Sequence, residues 1–132
     1  MNNITKDSRK DKNGSFSVYA RIKSIYHAFN GIGSAFRQEH NLWIHTFAAI
    51  AAVVTGFVFN ISAGEWMVVA LVIGGVFVAE LFNSAIESLV DVISPEHSKK
   101  AGAIKDMAAG AVLITAITAV VAGLIIFIPK LL

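Results

Sequence analysis

The chain has 132 residues, 55% of them hydrophobic, with a mean hydropathy of +0.65 and a formal net charge of +2. That composition excludes an ordinary soluble domain and fits a small polytopic membrane protein with room for one domain. There are no cysteines, so disulfides and thiolate metal sites are excluded. The short basic run near the start offers solubility or attraction to anionic lipid, and no nucleic-acid partner is expected.

Residues 1–17 are polar and basic and lack the apolar core of a signal peptide. They read as a disordered cytoplasmic tail, leaving 18–132 as the membrane domain. From Val18 to Gln38, apolar residues at Ile22, Ile25, Tyr26, Phe29, Ile32 and Phe36 recur at helical spacing, flanked by Arg21, Lys23 and Arg37. This segment is predicted to be a basic amphipathic helix lying in the interface. Gly31 and Gly33 invite a bend or break within it.

Three spans follow, at about 42–61, 65–93 and 106–128. Ala48, Ala52 and Gly56 form a small-residue ridge on the first, read as a packing surface. Asn60 opens a very short loop, and Ser62 with Glu65 matches a capping box at the start of the second span. Trp43 and Trp66 suit membrane-interface positions. Residues 94–105, polar and basic, read as the second connection, and Pro129 closes the third span.

Lysine and arginine set the orientation. Seven precede the first span, none lies in 60–64, three (Lys99, Lys100 and Lys105) sit in or beside the second connection, and one, Lys130, is near the end. The positive-inside rule puts the N-terminus and second connection in the cytoplasm and the C-terminus outside.

The second span carries the chemistry. Glu80, Asn83, Glu87 and Asp91 stand at offsets 0, 3, 7 and 11. At about 100° per residue they share an arc of roughly 80° on one helix face. Charged side chains at bilayer depth cost about 2.5–3.5 kcal/mol each at a helix centre, so a stripe of three carboxylates points to a use. Glu80 and Glu87 lie about 10 Å apart along the axis, too far to share a proton. Asn83, Glu87 and Asp91 offer hard oxygen ligands of the kind Mg²⁺ takes alongside phosphate. Lys105 and Asp106 stand across the connection, and Glu39 stands at the entry to the first span. Carboxylates and a cation at the cytoplasmic edge suit phosphoryl transfer from a nucleotide. No Walker-type motif is present, and intramembrane carboxylates also mark ion pathways. On the residues alone, a small proton-coupled transporter using Glu80 stands as the alternative, with a non-catalytic membrane assembly protein behind it. His27, His40, His45 and His97 make no metal spacing and read as interfacial or packing residues.

The run from Ala79 to Asp91 resembles the signature of the prokaryotic diacylglycerol kinase family, E-x-x-N-[ST]-A-I-E-x-x-x-D. Ala103 to Val112 resembles the family's second block, [AN]-x-K-D-x-[AG]-[AS]-[AG]-A-V. Glu39, Asn41 and His45 resemble an E-x-N-x-x-x-H block of the branch that includes undecaprenol kinases, and the ending Ile125 to Lys130 also looks closer to that branch. The resemblance implies an integral-membrane lipid kinase of the bacterial cytoplasmic membrane. It would transfer the γ-phosphate of ATP, with Mg²⁺, to undecaprenol or diacylglycerol, as a homotrimer with composite sites. By position, Glu80 would be the general base and would meet the lipid hydroxyl. Glu39 and Glu87 would hold the metal and, with Glu96, His97, Lys105 and Asp106, the nucleotide. Asn83 and Asp91 would support the site, while Arg21 and Tyr26 would lie near lipid and nucleotide.

Overall fold

The computed structural model describes residues 17–96 and 98–132 and is all helical. Its elements are α1 (Val18–Gln38), α2 (His40–Val58), α3 (Ala63–Ile93) and α4 (Lys99–Leu131). The chain falls into two units, one ending at Gly31 and one running from Ile32 to Leu132. The expected tail lies outside the described residues except for Ser17, whose hydroxyl accepts from the Ala20 amide at the start of α1.

In the first unit the apolar residues Ile22, Ile25, Tyr26 and Phe29 are all exposed. Of the bend or break that Gly31 and Gly33 invite, no break occurs: both residues are helical. A glycine in a helix interior costs only about 1 kcal/mol against alanine, which the flanking turns absorb.

The second unit is built on three helices long and apolar enough to cross a membrane, α2, α3 and α4. A single extended residue, Glu39, separates α1 from α2. The corner is held by Trp43, whose indole N–H donates to the Phe36 carbonyl at 3.1 Å. Its ring meets Phe36 edge-on at 5.4 Å. Leu42, one turn into α2, is wholly buried.

The α2–α3 turn is a Schellman closure. Asn60 adopts a positive φ of 51°, which asparagine tolerates better than most residues. Its amide donates to the Phe57 carbonyl, and the Ile61 amide donates to Gly56. Gly56 is required here: a Cβ would come within 2.8 Å of the Trp66 ring. The predicted capping box is present, with Ser62 accepting from the Glu65 amide and the Glu65 carboxylate accepting from the Ser62 amide. Beside it, Ile61, Val69 and Ile126 form a small buried cluster ringed by Phe59, Trp66, Ile73 and Phe127.

Two boundaries differ from the sequence reading. α4 begins at Lys99, so the connection after α3 is short. Ser98 caps it by accepting from the Ala101 amide, and lysine and alanine are good helix formers that outweigh Gly102. At the other end, Pro129 lies inside α4 and does not close it. Pro129 removes the amide that would donate to the Ile125 carbonyl, but α4 runs only two residues further, to Leu131.

Candidate active site

The polar stripe of α3 is where the second unit departs from ordinary packing. Its members differ by depth: Glu80 is 1% exposed and Asn83 7%, Glu87 is half-buried, and the Asp91 side chain is 65% exposed. The stripe therefore runs from a sealed carboxylate to one in the open. Ser84, beside it on the helix, is buried as well.

Each member has a distinct partner. Glu80 Oε1 lies 2.9 Å from His45 Nε2 of α2. The contact is not aligned as a hydrogen bond, and Oε1 accepts no other among the described residues. The Asn83 amide donates to Glu87 Oε1 at 2.8 Å, which leaves Asn83 Oδ1 and Ser84 Oγ without hydrogen bonds. Asp91 is ion-paired with Lys105 of α4, across the connection. Glu39 and Glu87 stand close enough to Glu80 for their charges to act on it.

The site residues named from the sequence are thus partly brought together. Glu39, Glu80, Asn83, Glu87, Asp91 and Lys105 belong to the second unit and share one end of it. Asp106 and Glu96 are exposed, the Glu96 carbonyl accepting from the Ser94 hydroxyl. His97 lies outside the described residues. Arg21 and Tyr26 belong to the unit that ends at Gly31, where Tyr26 stacks edge-on against His27. Lys105 does not stand as an isolated cation, because Asp91 engages it. His45, read as a packing residue, is the member sequence reasoning missed. Its position in the E-x-N-x-x-x-H block was the available signal, but helical spacing cannot show which helix it faces.

Among the described residues, no three histidine or acidic side chains converge into a cage. The Glu39 side chain makes no cap hydrogen bond at the start of α2, and Glu87 is held by Asn83. Magnesium takes one or two carboxylates and lets substrate phosphates and water complete its shell, so Glu39 and Glu87 would suffice for it in number and kind.

Between α2, α3 and α4 runs an apolar cavity of about 220 Å³, with His45 on its wall. Ala48 and Ala52 of the small-residue ridge line it, while Gly56 packs against Trp66. The ridge thus divides between packing and cavity wall.

Three apolar helices with a buried carboxylate on the middle one define a helical membrane protein with a polar site inside its spans. The chain belongs to the prokaryotic diacylglycerol kinase family, whose model matches residues 26–127. It is 44% identical to an undecaprenol kinase of Bacillus subtilis, over 96% of this chain and 98% of that one. It is 37% identical to a diacylglycerol kinase of Synechocystis, over 84% of this chain and 64% of that longer one. Against a diacylglycerol kinase of Escherichia coli K12 the identity is 32%, over 76% and 82% of the two chains.

Proposed function

We propose that the protein is a lipid kinase that transfers the γ-phosphate of ATP to a membrane alcohol, and that the alcohol is undecaprenol. The observation that carries the reading is the gradient along α3, from Glu80 at 1% exposed to Asp91 at 65%. A sealed carboxylate suits an apolar substrate's hydroxyl, and an open charged end suits a nucleotide. Full-length similarity to an undecaprenol kinase favours that alcohol over diacylglycerol.

The helix lengths agree with such a division. Glu80 is fifteen residues beyond Glu65, about 22 Å along α3 at 1.5 Å per residue. In a hydrocarbon layer of about 30 Å, that depth lies inside the boundary nearer the Asp91 end. The positive-inside rule favours a cytoplasmic position for this end, where ATP is available.

Glu80 accepts the hydroxyl proton as the lipid oxygen bonds to the γ-phosphorus and the bond to the ADP oxygen breaks. Asn83 fixes Glu87 through its amide. Asp91 and Lys105 tie α3 to α4 at the open end, and Asp106 stands beside them. Glu39 and Glu87 would hold magnesium, which when bound neutralises phosphate charge. The reading of 18–132 as one kinase domain goes with this scheme, as does a homotrimer. Each span is largely exposed in the single chain, with between 6% and 28% of its most apolar window buried. That much apolar surface suits lipid and neighbouring subunits alike.

The test is a competition between undecaprenol and diacylglycerol in mixed micelles with labelled ATP and Mg²⁺. Labelled undecaprenyl phosphate as the main product is expected. Label mainly in phosphatidic acid would reverse the substrate assignment, and no label in either lipid would overturn the kinase reading.

A further inference from the structure

His45 has no part in the scheme above, yet it makes the nearest polar contact to the proposed base. Its Nε2 is 2.9 Å from Glu80 Oε1, with side chains 23% and 1% exposed respectively. A glutamate side chain has three rotatable bonds, and this one has no aligned hydrogen bond on Oε1 to fix it. The other charges acting on it, Glu39 at the α2 N-terminus and Glu87 on its own helix, are both of like sign. From α4, the cavity wall beside His45 is apolar, formed by residues such as Ala116 and Ala119. His45 is therefore the available counter-group. Its backbone is set independently, by the buried Leu42 one turn before it. Loose alignment in a structure without substrate is usual for catalytic contacts, which tighten as the complex forms.

We propose that His45, which lines the apolar cavity, is a positioning residue for the kinase reaction, holding the neighbouring Glu80 carboxylate so that it faces the lipid hydroxyl. This rests on the lipid kinase reading. A displacement of 1 Å at a reacting group can cost about a hundredfold in rate, so the effect belongs in kcat.

The test compares H45M, which fills similar volume without a donor, and H45Q, which keeps an N–H at similar reach, with E80Q and the H45M/E80Q double variant. All are assayed for lipid phosphorylation on protein that melts as wild type does. H45M is expected to lower kcat by about 10- to 100-fold with the KM for ATP within about twofold, since only transition-state geometry is disturbed. H45Q is expected to recover most of that loss, and the double variant to be no slower than E80Q alone, as for residues acting as one unit. H45M with wild-type kcat, H45Q no better than H45M, or additive losses in the double variant would each overturn the proposal. If H45M fails to fold, H45A replaces it; if both fail while H45Q folds normally, His45 is structural and the proposal falls. A fully active E80Q would instead overturn the base assignment beneath it.

Discussion

The two ends of the α3–α4 pair are built on opposite principles. At the Ser62 end polar groups are matched beside a small buried apolar cluster. The capping box is complete, Glu65 pairs with Lys130 at 3.1 Å, and Ile61, Val69 and Ile126 are buried together. At the other end, Glu80 Oε1, Asn83 Oδ1 and Ser84 Oγ are buried without hydrogen bonds. Groups of this kind cost free energy to bury, so they persist where something other than stability retains them. The first end holds the helices together, and the second keeps buried polar groups that packing alone does not account for.

Substitutions should separate the two ends, and the largest effect is expected at Glu80. E80Q should lower lipid phosphorylation by at least about a hundredfold, the lower range for loss of a general base. Its melting temperature in detergent should hold or rise, because an ionisable group leaves an apolar site. Next comes Asn83. N83A removes the donor to Glu87 and should cost about 10-fold or more in activity or in the magnesium concentration for half-maximal rate, as for groups that orient a metal ligand. A magnesium titration of the initial rate checks this.

At the matched end the expected signs reverse. G56A drives a Cβ against Trp66 and Ile61 and should cost about 1–3 kcal/mol, the usual range for overpacking. Thermal unfolding measures the loss, while the rate per folded molecule stays near wild type. S62A removes the cap of α3 and should cost about 1 kcal/mol, again without a change in rate. A large loss of rate in either variant, with the fold intact, would mean that the ends are not separate in function.

Local features were legible in the sequence because local rules govern them. The capping box needs only Ser62 and Glu65 at the right spacing, and the polar stripe needs only helical periodicity. α1 follows from its apolar spacing in the same way. The start of α4 was misplaced because lysines and a glycine resemble a loop until Ser98 is seen to cap the helix. The pairs His45–Glu80 and Asp91–Lys105 depend on how α2 and α4 are rotated against α3. Periodicity along one helix does not determine that rotation. Burial was readable only as a trend: the stripe predicts polar residues at depth, but not that Glu80 is sealed while Asp91 is open.

The most direct measurement of the central claim is label transferred from ATP to undecaprenol by folded E80Q protein, relative to wild type in the same micelles. Transfer below about one-hundredth of wild type is expected, with the melting temperature intact. Transfer within a few-fold of wild type would contradict it, because the sealed carboxylate would then have no part in the reaction.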